Sequence, residues 1–276
     1  MSNSLEFETR YLDRPGGRIG FDVSGSVAGP LVVCVPGMGD LRSGYRHLRS
    51  SLVAAGCRVA AMDLRGHGDS DTTFAAYDDA AAASDVVALV EHLGGPAVLV
   101  GNSMGAGAAV IVAATRPELV TALVLLGPFV RNVPSPVLMR WGFRLAMAGP
   151  WSTRVWLSYL PKLYPTHRGE DFDQHHSDIA AAMKGEGRAA AFRATTRTDH
   201  APAWAVADQV GVPTLVVMGN KDPDFPDPAA EADLVARTLG ATVVMVPDAG
   251  HYPQSEFPEV TGPAVVDFVT GLATSA

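Results

Sequence analysis

Residues Ala97 to Ala108 read AVLVGNSMGAGA. The apolar run that ends at Gly101 has the length and composition of a buried strand, and the small residues from Met104 onward read as a helix. Between them, Gly101-Asn102-Ser103-Met104-Gly105 has to turn the chain sharply. Such a strand-to-helix turn forces its central residue into a strained backbone conformation. The flanking positions must be glycine, because a Cβ there would collide with the neighbouring strand and helix. Ser103 is thereby lifted above the sheet edge, at the amino end of a helix whose dipole favours negative charge. G-x-S-x-G alone also describes a Gly-rich turn with an incidental serine; inside strand–turn–helix it reads as a nucleophile.

Working outward, short Val- and Leu-rich runs alternate with helical patterns, the signature of a mostly parallel sheet with crossover helices. Strands are predicted at 5–12, 18–23, 31–35, 58–62, 97–101, 121–126, 213–218 and 242–246, the first two joined at Pro15, Gly16 and Gly17. Helices are predicted from Arg42 to Ala55, over 78–93, 104–115 and 228–239, and from Glu259 onward. The alternation stops between 128 and 209, where an irregular helical stretch carries Trp141, Phe143, Met147, Trp151 and Trp156. The expected fold is α/β, a mainly parallel eight-stranded sheet with helices on both faces. Its core spans 1–127 and 210–276, and 128–209 is an inserted helical cap.

With the serine turn in this setting, the chain resembles the α/β-hydrolase family, whose triad runs in the order Ser, acid, His. After the strand 213–218 comes Gly219-Asn220-Lys221-Asp222-Pro223-Asp224. The family places its triad acid at G-x-x-D, so the resemblance points to Asp222, with Asp224 and Asp227 as near competitors. After the strand 242–246 comes Pro247-Asp248-Ala249-Gly250-His251. A histidine in this loop can reach the serine as base, with an aspartate fixing its tautomer. None of the seven other histidines follows the last core strand. The loop Cys34-Val35-Pro36-Gly37-Met38-Gly39-Asp40 matches the position where relatives usually read His-Gly, which implies the backbone N–H groups of Met38 and Met104 as oxyanion donors. Pro36 stands where that His would be, so the bracing of the loop must differ. Asp63-Leu64-Arg65-Gly66-His67-Gly68 also resembles the family, where this turn supports the site from below, and His67 reads as structural.

Charge and composition exclude several classes. A net charge of −8 and a pI near 5.4 leave no basic face for nucleic acid. No apolar run approaches the roughly 20 residues that span a bilayer, and the first residues lack a secretory pattern, so a cytoplasmic protein with no membrane partner is expected. Cys34 and Cys57 read as buried thiols. His167, Asp171, Asp173, His175, His176 and Asp178 form a dense polar cluster without zinc-type spacing, read as a solvated cap loop with no metal. No phosphate-binding glycine motif follows a strand, so no cofactor is expected.

The expected activity is hydrolysis of an ester, thioester or lactone of a small to medium apolar molecule through an acyl-enzyme on Ser103. The aromatic and Met residues of the cap would contact the substrate, or form the cap's own core. Two alternatives stay open. Gly-Asn-Ser-Met-Gly resembles the elbow of carbon–carbon bond hydrolases of ring-cleavage products, and a ligand receptor could keep the fold without turnover.

Overall fold

The computed structural model describes residues 8–134 and 137–272. Eight strands form one sheet: β1 (Arg10–Arg14), β2 (Gly17–Ser24), β3 (Leu31–Val35), β4 (Arg58–Met62), β5 (Ala97–Asn102), β6 (Val120–Leu126), β7 (Thr214–Gly219) and β8 (Thr242–Val246). Their order is β1-β2-β4-β3-β5-β6-β7-β8, antiparallel through β2 and parallel from β4 to β8. The first strand differs from expectation. Arg14 pairs with Gly17, so Pro15 and Gly16 are the whole turn and β1 must run to Arg14; Gly16 takes φ 93°, open to glycine. Residues 5–7 lie outside the described residues.

The helices are α1 (Arg46–Ala54), α2 (Asp79–Leu93), α3 (Met104–Thr115), α4 (Val137–Ala148), α5 (Ser152–Tyr159), α6 (Phe172–Ala182), α7 (Arg188–Thr195), α8 (Ala201–Trp204), α9 (Pro228–Leu239), α10 (Pro253–Glu256) and α11 (Pro258–Leu272). The first turn of the expected helix from Arg42 is instead a 3-10 turn, Arg42–Tyr45. No described helix is long and apolar enough to cross a membrane.

Alternation along the strands divides the core. Val33, Leu99, Leu123 and Val216 face α2, α3 and α9; Val32, Val98, Val124 and Val217 face α1 and α11. Successive strand residues point to opposite faces, so a sheet buried on both sides needs unbroken apolar runs. Cys34 and Cys57 are buried free thiols in the second layer. Burial pushes the Cys34 thiol up to about 12.

Five of the helices, α4 to α8, lie between β6 and β7. They enclose a separate apolar cluster of Met147, Trp156, Leu160, Leu163, Tyr164, Phe172, Ile179 and Phe192, joined by Tyr252 from the β8–α10 connection. Polar ties fix this insertion to the core. Asp171 takes two bonds from Arg46, at 2.5 and 2.7 Å, and Glu256 accepts from the amides of Thr166 and His167. The cluster from His167 to Asp178 is therefore not a loop throughout: His167, Asp173 and Asp178 are exposed as expected, but most of it is helix and His175 turns inward. Phe172 to Ala182 is helical, and His175 is buried with Nε2 2.8 Å from Asp40. The helical period carries His175 inward beside Phe172 and Ile179, where a core carboxylate meets it.

At the turn after β5, the required glycines have no room to spare. A methyl on Gly101 would lie 2.6 Å from Ala106 Cα, and one on Gly105 would overlap the carbonyls of Val35 and Pro36. Gly105→Ala should therefore destabilise the fold by about 3 kcal/mol or more, lowering the melting midpoint on the order of 10 °C. A shift under 3 °C, roughly 1 kcal/mol at this chain size, would mean that α3 and β3 can separate more readily than the packing implies.

Candidate active site

Ser103 caps the amino end of α3 with φ 54° and ψ −121°, a backbone strained for any L side chain. Its neighbours hold it there. Ser103 N–H donates to Leu126 O at 3.0 Å, and Ser103 O accepts from Ala106 and Phe129 amides at 3.0 and 3.2 Å. Asn102, fully buried, donates through Nδ2 to Leu126 O at 2.9 Å and to His251 O at 3.2 Å. One side chain thus links the serine turn to the histidine loop. A direct bond between the serine hydroxyl and the imidazole is not among those formed by the described residues. Phe129 completes the junction: its amide holds Ser103 O, and its ring stands edge-on to the His251 ring with centroids 5.7 Å apart.

His251 is buried, and its Nδ1 lies 2.7 Å from Asp222 Oδ2. The amide of His251 donates to Leu163 O of the insertion, and the adjacent Gly250 amide donates to Glu256. Burial pulls the imidazole down, but the charge and hydrogen bond of Asp222, followed by the charge of Asp224, outweigh it and bring His251 to about 9. Asp222 is buried and Asp224 keeps a fifth of its side chain exposed. Asp224 lies 3.8 Å from the same nitrogen and accepts from Tyr159 of α5 at 2.5 Å. Of the three acids left open by the sequence, Asp222 is the one at hydrogen-bonding distance of His251. Asp227 instead caps α9 through Ala230 N–H. Asp222, Asp224 and His251 also bring their ligand-type atoms within 4.8 Å of one another. The Asp222–His251 and Tyr159–Asp224 hydrogen bonds account for their orientation.

The loop after β3 passes against the serine: a methyl on Gly37 would sit 2.8 Å from Ser103 Cβ. Two of its amides are occupied, Gly39 N–H by His67 Nε2 at 3.0 Å and Asp40 N–H by Gly37 O. Among the described residues, Met38 N–H meets no such acceptor. Met104 N–H is at the first position of α3, where an intrahelical acceptor does not exist. The brace that Pro36 cannot supply comes from His67. Its Nε2 accepts, so Nδ1 carries the proton given to Arg65 O at 2.9 Å, and burial lowers its affinity for a second proton. From the other side, Trp156 Nε1 donates to Gly39 O at 3.0 Å.

The aromatic and Met residues proposed from sequence divide into two sets. Met147 and Trp156 are 4% exposed and belong to the insertion's own core. Trp141, Phe143 and Trp151 are 57%, 41% and 52% exposed, so they stand in solvent rather than under a roof. Sequence reasoning missed Asn102, Phe129, Tyr159 and Glu256, whose roles depend on contacts between distant segments.

Asn102 generates a stability test. Its Oδ1 has no partner among the described residues, so it serves as a donor to two buried carbonyls. Asn102→Ala should cost about 2 kcal/mol in chemical denaturation. Asn102→Asp, which turns a carboxylate on those carbonyls, should cost more. A harmless Asn102→Asp would contradict the donor assignment.

Comparison with known proteins agrees with this architecture. Over 263 residues the chain is 27% identical to a 2-(acetamidomethylene)succinate hydrolase of Mesorhizobium japonicum, covering 92% of each. It is 30% identical over 226 residues to a pimeloyl-[acyl-carrier protein] methyl ester esterase of Neisseria meningitidis, covering 78% of this chain and 69% of that one. A thermophilic esterase from Thermogutta terrifontis superposes with a TM-score of 0.77 at 26% identity, over 96% of this chain and 99% of the other. Residues 32–263 match the alpha/beta hydrolase family, and the chain belongs to that family.

Proposed function

We propose that the protein is a serine hydrolase that cleaves an ester, thioester or lactone of a small to medium apolar molecule, without a cofactor. The observation that carries this reading is the buried 2.7 Å contact between His251 Nδ1 and Asp222 Oδ2, in a loop that Asn102 ties to the strained Ser103 turn. His251 Nε2 takes the proton as Ser103 Oγ attacks the acyl carbon. Asp222 holds the tautomer and stabilises the imidazolium. Met38 and Met104 N–H groups receive the oxyanion, a contribution of a few kcal/mol per donor. The imidazolium then protonates the leaving group, and water repeats the sequence on the acyl-enzyme. The methyl ester esterase and the thermophilic esterase support an ester over other acyl compounds. Carbon–carbon bond hydrolysis is the second reading, motivated by the elbow Gly-Asn-Ser-Met-Gly.

In this reading residues 128–209 are a cap, and 1–127 with 210–276 the catalytic core. The cap acts at the site through Trp156 on the oxyanion loop and Leu163 on the histidine loop. Trp141, Phe143 and Trp151 offer apolar area at its outer surface for substrate entry.

Fluorophosphonate labelling with turnover of p-nitrophenyl esters tests the assignment. Ser103→Ala should abolish labelling and lower turnover by several orders of magnitude with the fold intact. Asp222→Asn should lower kcat roughly 10⁴-fold, far more than Asp224→Asn. Near-native hydrolysis by Ser103→Ala would remove the nucleophile, and the reverse ranking would move the triad role to Asp224.

The protonation of His251 fixes a pH dependence. Only the neutral imidazole can take the serine proton, and the group titrates at about 9. Thus kcat/KM should rise tenfold per pH unit from neutrality and level off near pH 9. A limb at the ordinary imidazole value near 6.5 would show that the carboxylate charges do not act on the base as described.

A further inference from the structure

One acid on the imidazole is sufficient for tautomer control, yet this site has two. Asp224 N–H donates to Asp222 Oδ1 at 3.0 Å, a local turn that brings both carboxylates to the same side of the loop. Asp222 Oδ2 and Asp224 Oδ2 then lie 2.7 and 3.8 Å from the single nitrogen His251 Nδ1. That nitrogen has one proton to give, and the distances assign it to Asp222. Asp224 is too far to accept it and close enough to act through charge.

The charge needs support. Burial pushes the Asp224 carboxyl up, the charge of His251 counters this, the charge of Asp222 adds to the rise, and the Tyr159 hydroxyl opposes it. Tyr159 is the last residue of α5, one turn beyond Trp156, whose indole holds the oxyanion loop. Burial and then Asp224 itself raise the Tyr159 hydroxyl, so it remains a donor. The other charged or titratable groups at His251 are Asp40, engaged by His175, and Tyr252. Phe129 and Phe225 cover the rest of the ring.

We infer that Asp224 is a positioning residue that places a second negative charge on His251, and that Tyr159 keeps it charged from the insertion. The inference rests on the reading of His251 as base. It means that seating α5 does two things together: Trp156 fixes the oxyanion loop, and Tyr159 completes the charge that favours the imidazolium. The arrangement suits a reaction whose barrier is the formation of that imidazolium, at the cost of a base protonated in the free enzyme at neutral pH.

Asp224→Asn removes the charge and keeps an acceptor for Tyr159; Tyr159→Phe removes the donor and keeps the ring. The direct readout is an NMR titration of the His251 imidazole, assigned by its loss in His251→Gln, and it does not depend on turnover. Asp224→Asn should lower the His251 midpoint by about one pH unit, with the acid limb of kcat/KM moving equally. Tyr159→Phe should move both in the same direction by less, and should add nothing in the double variant. A midpoint unchanged in folded Asp224→Asn, or additive shifts in the double variant, would overturn the inference. So would loss of phosphonate labelling in Asp224→Asn to the level of Asp222→Asn, since Asp224 would then be the triad acid. Failure of the wild type to label would sink the hydrolase reading instead, while the titration would still decide the role of Asp224.

Discussion

The site depends on how closely α3 is driven against the ends of β3 and β5. Gly105 lies so near the Val35 and Pro36 carbonyls that no side chain fits, and Gly101 is pressed on Ala106. This contact leaves the turn between them no relaxed path, and Ser103 takes up the strain at φ 54°. Strain of this kind costs on the order of 1–3 kcal/mol and persists only where the surroundings over-determine it. Here they do so through the carbonyl of Ser103, bonded to Ala106 and Phe129, and its amide, bonded to Leu126. The same approach brings Gly37 against Ser103 Cβ, so the strain at the serine and the placement of the Met38 amide have one cause.

Electrostatics adds a second layer to that geometry. A buried imidazole ordinarily loses its proton more easily, because burial penalises the charged form. His67 follows that rule and stays a neutral acceptor for Gly39. His251 departs from it because two carboxylates stand at one nitrogen. Two histidines of similar burial thus hold opposite protonation preferences, and each preference fits what the ring does. His67 is a fixed acceptor, whereas His251 sits where an imidazolium is stabilised.

Much of this was legible in the sequence, for a physical reason. A parallel sheet covered on both faces leaves unbroken apolar runs such as Leu31–Val35 and Thr214–Gly219, and all eight expected strands are present. The serine turn was legible because its glycines are sterically compulsory. What the sequence left open was set by contacts at long separation. The choice between Asp222 and Asp224 rests on 1.1 Å of difference in distance to one nitrogen (3.8 less 2.7). The polar cluster near His175 read as a loop because its hydrophilic residues hide a helix whose inward face meets Asp40, 135 residues away. Trp156 and Trp151 have the same local character, yet one is core and the other exposed.

The insertion is therefore joined to the chemistry more tightly than a lid resting on a finished core would be. Trp156 on the Gly39 carbonyl, Leu163 on the His251 amide and Tyr159 on Asp224 reach the loops after β3, β8 and β7 respectively. These three loops carry the oxyanion amide, the base and the acid in the proposed mechanism. Within the insertion, Trp156 packs on Phe192, and Leu163 and Tyr164 lie in the same apolar cluster as Tyr252, the residue after His251. A displacement of this cluster large enough to break one contact would strain the others, because close-packed interiors transmit shifts instead of absorbing them. Substrate access and the alignment of the catalytic groups then become properties of one packed unit. The solvent-facing Trp141, Phe143 and Trp151 lie outside that unit, so a change at any of them alters the outer surface and leaves the alignment of the groups that would do the chemistry in place.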